Sequence, residues 1–194
     1  MMKQRCIAKL FRIRISLIRF YFTKVAYIKC WFWGVNIDKG CKFVGPILIY
    51  KEPGSIIKIG KNCRFSSYNY TYFRGLNHKV IIQTGCKDAS IFIGDNCGFS
   101  GTSLVCNKSI VIENNCAFGA NVNIGDRDGH KDRYATEDKE VFIGHDTWLG
   151  MNVTVLKGVS IGSNCVVGAN SLVTKDIPNN VVAAGSPAKV LKIR

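Results

Sequence analysis

Six aliphatic residues, Ile143, Leu149, Val155, Ile161, Val167 and Val173, recur at intervals of six with no position missed. An α-helix repeats its apolar face about every 3.6 residues and a half-buried strand about every 2, so neither explains the spacing. Gly144, Gly150, Gly162 and Gly168 directly follow four of the anchors. Four places after each anchor stand Thr147, Val153, Val159, Cys165, Ser171 and Ile177, all small or β-branched. Ile93, Phe99 and Val105 share the period, and Ile112, Phe118 and Ile124 share it after a one-residue slip. Before residue 90 the pattern is ragged, although Ile59-Gly60 and Cys63 still fit it.

One short strand and turn cannot bury its own apolar side. Stacked copies can, each hexad forming one side of a coil with its anchor pointing inward and Gly or Asn easing the corner. Three hexads close a triangular coil, and each strand pairs in parallel with the coils above and below. The cysteines obey the same rhythm. Cys63, Cys97, Cys116 and Cys165 each take the fifth place of a similar hexapeptide, as in Ile-Gly-Asp-Asn-Cys. No C-x-x-C occurs among the 9 cysteines, so they read as buried structural thiols of a reducing compartment.

The first 34 residues are different. Lys3, Arg5, Lys9, Arg12, Arg14, Arg19, Lys24 and Lys29 occur there without one acid, interleaved with Ile, Leu, Phe, Tyr and Trp. Two readings stand side by side: a basic amphipathic helix lying on anionic lipid, and a helical cap over the open end of the coil. The net charge of +14 calls for an anionic partner. Nucleic acid is not the expected one. No run of apolar residues is long enough to span a bilayer and no signal-peptide pattern is present, so a cytoplasmic location is expected, with peripheral contact at the inner membrane face through residues 1–34. The organisation expected is a basic N-terminal segment, 1–34, and a solenoid domain, 35–194, with an inserted loop at about 126–142 and a short C-terminal tail, helical or extended.

The form aliphatic-Gly-x-x-small-x resembles that of the hexapeptide-repeat acyltransferases. The stretch from Val141 to Arg194 is the most specific part, above all Val-Phe-Ile-Gly-His-Asp-Thr-Trp-Leu-Gly and Gly-Ala-Asn-Ser-Leu-Val-Thr-Lys-Asp-Ile-Pro. It is similar to the galactoside and maltose O-acetyltransferases and to the capsule and O-antigen polysaccharide O-acetyltransferases. The likeness covers residues 90–194 well and 35–90 loosely. It implies an all-β fold, the left-handed parallel β-helix. The hand comes from the resemblance alone, since ordinary crossover connections favour the right hand.

The repeat breaks after Ile124, and the next anchor in phase is Ile143. A solenoid accepts insertions at its corners, and functional residues collect there. His130 lies in this break. The resemblance makes it the general base that deprotonates the acceptor as it attacks the thioester of acetyl-coenzyme A, a task that suits imidazole. Asp128, ahead of Asp126, is the candidate to orient it, and Asn121 and Asn123 are candidates to bind substrate. The resemblance sets acetyl-coenzyme A, as co-substrate, along the C-terminal coils in a cleft between subunits of a homotrimer. Trp148, Met151, Ala169, Thr174, Lys175 and Lys189 match its lining by position. Met151 replaces a smaller family residue. Lys189 replaces an Arg and keeps the charge without the bidentate fork. Lys175, Lys189, Lys192 and Arg194 also form a basic cluster suited to phosphates.

His78 reads as a surface-loop residue and His145 as a corner residue. No metal is expected: the acids around His130 lack the Gly and Glu placement of a calcium loop. The expected function is acetyl transfer to a sugar hydroxyl of a glycan acceptor, in surface polysaccharide synthesis. A small-molecule or amino-sugar-nucleotide N- or O-acetyltransferase and a noncatalytic β-helix binding module are the alternatives.

Overall fold

The computed structural model describes residues 2–68, 75–127 and 137–194, with side chains from residue 7 onward. From Asn36 the chain winds into a three-sided parallel coil. Its faces are sheets of 6, 8 and 6 strands. The first face runs from Asn36–Ile37 to Ser160–Ile161, the second from Lys42–Val44 to Ala188–Ile193, and the third from Leu48–Tyr50 to Leu172–Val173. Every strand pair is parallel except the last on the second face, where Ala188–Ile193 runs antiparallel to Val181–Gly185. Of the two forms expected for the tail, the extended one is found, as a strand rather than a helix. It folds back as a strand because the last parallel strand offers unpaired backbone groups at the sheet edge.

The interior is built from columns of like residues. The anchors Ile143, Leu149, Val155, Ile161, Val167 and Val173 are all buried, as are the six small or β-branched residues that follow them. Beneath the second face Phe43, Phe65, Phe99 and Phe118 stack in parallel, with ring centroids 4.6, 5.0 and 4.7 Å apart. That spacing matches the separation of neighbouring strands, about 4.8 Å, so the coil pitch itself sets the stacking.

A second column contains the cysteines. Cys41, Cys63, Cys97 and Cys116 are buried, and each thiol donates to a carbonyl of the next coil, that of Gly60, Gly94, Glu113 and Gly144, at 3.1–3.2 Å. Thr147 Oγ1 does the same to Gly162 and Cys165 to Pro178. Cys86 departs from the buried-thiol reading, being exposed.

A third column turns the first corner. Asn62, Asn96, Asn115, Asp146, Asn164 and Asn180 all adopt the left-handed conformation, φ 56–61°, which Asn and Asp tolerate best among residues with a side chain. Amide groups link parts of this column, as from Asn96 to Asn115 at 3.1 Å and from Asn164 to Asn180 at 2.8 Å.

Counting in sixes from Ile93 fails at Val105. Leu104 and Cys106 are the buried residues there, and Val105 faces outward. The second face explains the slip. Ala117 pairs with Gly98 but Ala120 with Ser100, so the later strand holds one residue more. One residue gained or lost reverses inside and outside for all that follows. The ragged stretch before residue 90 is two regular coils with an excursion at 67–80, between Arg64–Ser66 and Ile81–Thr84.

The N-terminal helix spans Met2–Phe32, and its last third covers the first coil. Ala26 and Cys30 are buried against that end, and burial pushes the Cys30 thiol up to about 12. Thr23 Oγ1 accepts the Phe43 N–H at 3.0 Å, and the Tyr27 hydroxyl donates to the Asp38 carbonyl at 2.9 Å. Further out the helix leaves its apolar residues exposed, among them Ile7, Leu10, Leu17 and Phe20. Phe99 stacks on both of its neighbours, so Phe99→Ala is expected to lower unfolding free energy by about 3–5 kcal/mol; urea denaturation followed by circular dichroism measures it.

Candidate active site

The break in the repeat leaves the coil at the corner between the third and first faces. Asp126, fully buried, anchors its root. Its carboxylate accepts the backbone N–H groups of Asn107 and Lys108, each at 2.7 Å, and the Cys106 thiol at 3.1 Å. Burial, then the Asp126 charge, pushes the Cys106 thiol upward and keeps it a donor. The returning chain is held at the same point. Lys139 N–H donates to the Asp126 carbonyl at 3.0 Å, and Asn107 Nδ2 donates to Asp138 Oδ2 at 3.1 Å. Asp126 is thus occupied by the backbone of the preceding coil. His130 and Asp128, the expected base and its partner, lie outside the described residues.

Asn121 sits at the second corner in the left-handed conformation, φ 59°. Its amide is engaged within the chain: Oδ1 accepts Asn77 N–H at 2.8 Å, and Nδ2 donates to the Gly75 carbonyl at 3.1 Å and to Asn152 at 3.3 Å. It fastens the end of the 67–80 excursion to the coil. Asn123 is exposed on the third face and donates to the Asn121 carbonyl.

Trp148, Met151 and Ala169 come together. With Gly150, Val166 and Gly168 they line an open, mainly apolar groove of about 460 Å³ on the second face. Trp148 and Met151 are well exposed. The glycines are required by the neighbouring coil: a Cβ at Gly150 would lie 2.7 Å from Ala169 N and one at Gly168 2.8 Å from Ala184 Cβ. Thr174 and Lys175 lie elsewhere. They follow Leu172–Val173 at the corner that also sends out the 126–140 segment, separated from the groove by the whole third face. Lys189 lies in the reversed C-terminal strand, opposite Ala184.

His145 is an exposed corner residue. Its Nδ1 lies 2.7 Å from Asp146 Oδ2, and that hydrogen bond raises the imidazole above its ordinary value of 6.5 while lowering the carboxyl. His78 is half-buried, with Nδ1 2.9 Å from the Lys79 carbonyl. Because the Asp146 carboxylate favours the protonated ring, His145 should hold its proton to higher pH than a free histidine. Asp146→Asn should return its titration toward 6.5, as followed by NMR of the ring protons.

Sequence reasoning missed a second groove on the same face. Arg19, Lys42, Val44, Arg64, Ser66, Gly98, Ser100, Ala117 and Trp148 are among the residues lining about 410 Å³ of open space below Trp148. The signal was present: Lys42, Arg64, Gly98, Ala117 and Trp148 each directly follow the Cys or Thr of a hexad.

A three-sided coil of hexapeptides with grooves on one face and its excursions at corners defines a hexapeptide-repeat solenoid. Residues 140–175 match the family model described as bacterial transferase hexapeptide (six repeats), and the chain is similar to the hexapeptide-repeat acetyltransferases, whose β-helix is left-handed. It is similar to a galactoside O-acetyltransferase of Lactococcus lactis, 42% identical over 139 residues, covering 69% of this chain and 61% of the relative. It is also similar to a putative lipopolysaccharide biosynthesis O-acetyl transferase, WbbJ, of Escherichia coli, 54% identical over 61 residues, 31% of each chain. Among solved structures it resembles the polySia specific acetyltransferase NeuO, 26% identical, with a TM-score of 0.60 over 82% of this chain and 75% of that one. The chain spans less than two thirds of the length of these two curated relatives.

Proposed function

We propose that the protein transfers an acetyl group from acetyl-coenzyme A to a hydroxyl of a glycan. The observation that carries this reading is the groove of Trp148, Met151 and Ala169, on the coils where the family model matches. Its apolar lining suits the slender arm of the coenzyme. The names of the relatives, a galactoside and a lipopolysaccharide O-acetyltransferase, support a sugar acceptor in surface polysaccharide synthesis.

The chemistry is direct transfer. His130 takes the proton of the acceptor hydroxyl as its oxygen attacks the thioester carbonyl. The tetrahedral intermediate collapses, the carbon–sulfur bond breaks, and the leaving thiolate takes the proton from the imidazolium. Asp128 orients the ring and stabilises its charged form. His130→Ala is expected to lower acetyl transfer at least about a hundredfold, assayed by thiol release from acetyl-coenzyme A with a sugar acceptor present. A fall under about threefold would remove the base from the mechanism.

The separation of the groove from Thr174 and Lys175 supports a homotrimer. One extended ligand reaches both sets of residues only if the third-to-first corner of one copy faces the groove of the next. Each active site then lies between two subunits.

The N-terminal helix supports work at an anionic membrane surface. Its outward side exposes Leu10, Ile13, Leu17, Phe20, Ile28 and Trp31, the last 82% exposed, beside Lys9, Arg14 and Lys24. Among the described residues no helix is long and apolar enough to cross a membrane, so the helix lies along the surface. The full chain should sediment with phosphatidylglycerol vesicles but not with phosphatidylcholine vesicles, and added salt should weaken the binding. Leu17→Glu with Phe20→Glu should abolish it.

A further inference from the structure

The groove below Trp148 has a layout that coil packing does not require. Five residues share one outward column of the second face. Lys42 pairs in register with Arg64, Arg64 with Gly98, Gly98 with Ala117, and Ala117 with Trp148. Two cations thus stand at one end, an indole at the other, and two of the smallest side chains between them. Arg19 of the N-terminal helix joins the cationic end.

Gly98 is the telling residue. Its φ is not in the left-handed region, and a Cβ there would meet nothing within 4 Å. Gly60, Gly94, Gly144, Gly150 and Gly162 all face close neighbours where a Cβ would stand. Neither backbone nor packing asks for glycine at 98. What its missing side chain does is deepen the groove. The cations are equally unexplained by the fold. Arg19, Lys42 and Arg64 are exposed, and among the described residues the only ion pair is that of His145 with Asp146. Three like charges on one groove repel one another, and an anion relieves that repulsion.

We propose that this groove is the acceptor subsite and that it selects an anionic acceptor: Arg19, Lys42 and Arg64 bind a carboxylate or phosphate, while the sugar chain lies over Gly98 and Ala117 toward Trp148. The proposal deepens the acetyltransferase reading and rests on it. The two grooves meet at Trp148, which lines both. The coenzyme therefore approaches from the C-terminal coils and the acceptor from the N-terminal ones. Arg64 lies three strand spacings from Trp148, roughly 14 Å. The anionic group is thus remote from the hydroxyl that is acetylated, and a single neutral sugar cannot reach both ends.

The test measures binding and transfer separately on the full-length protein. Three probes are titrated calorimetrically without coenzyme: a hexuronic-acid tetrasaccharide, its carboxyl-reduced form, and a neutral tetrasaccharide carrying a terminal phosphate. Tight binding of the first or the third over the second is expected, and which one binds identifies the anion. Lys42→Gln with Arg64→Gln should reduce that preference about tenfold or more, as loss of charge-assisted hydrogen bonds does. Gly98→Leu should weaken the charged probe at least about tenfold by filling the groove, without lowering the thermal midpoint. Coenzyme A is titrated against the same variants. Binding of both anionic probes no tighter than that of the carboxyl-reduced one overturns the proposal. So does a loss of coenzyme A affinity in Lys42→Gln/Arg64→Gln that equals the loss for the charged probe, because the cations would then serve the coenzyme phosphates. Failure of the acetyltransferase reading looks different: the anionic probe binds and depends on Arg64, but no acetyl group reaches it.

Discussion

Register between coils governs this molecule. Backbone hydrogen bonds run from each strand to the coils above and below, as from Gly60 N–H to the Ile93 carbonyl and from Gly94 N–H to that of Ile112. No coil can satisfy its own peptide groups, so each is stable only as part of the stack. Every residue consequently lies over its counterpart one turn away. A side chain that suits one level must suit the next, and columns of Phe, Cys and Asn are the result. The thiols show how far this goes. At the buried position after the first corner the column needs a small group that fills apolar space and still donates to a carbonyl. Cys does both at five levels, and Thr147 does so at the sixth.

The same constraint decides where chemistry is possible. Extra residues inside a strand would shift its register against two neighbours at once, whereas extra residues at a corner shift nothing. The first corner is held by left-handed Asn and Asp at every coil but the first, where Gly40 takes the same place with φ 85°. The second corner releases the 67–80 excursion, and the third releases the segment that carries His130. Each is pinned to the coil by a buried side chain spent on backbone groups, Asn121 in one case and Asp126 in the other. These two residues look alike in sequence to substrate-binding or catalytic groups. Their burial makes them fasteners.

The six-residue anchors from Ile143 to Val173 were legible because burial leaves a strict trace and their register has no irregularity. Val105 was misread because the strand at Gly98–Ser100 has one residue fewer than its neighbour, and a period cannot show where a single residue is missing. The last strand escaped notice for another reason. Nothing local in Ala188–Ile193 demands a reversal; the unpaired edge of Val181–Gly185 does. His130 stands out in sequence only through the break in the repeat, and its role comes from family likeness. The cationic groove was hidden in plain view. Lys42 and Arg64 stand 22 residues apart in the sequence, and only the register puts them in one column with Gly98 and Trp148.

The two ends of the solenoid have a consequence for its behaviour in a crowded solution. A stack of parallel strands is a template for its own continuation, and open ends invite copies to join into filaments. Here one end lies under Ala26 and Cys30 of the helix. At the other, the final strand of the second face runs the opposite way, so an incoming parallel coil meets hydrogen-bonding groups in the wrong pattern. The helix and the reversed strand thus both deter parallel coils from adding end to end.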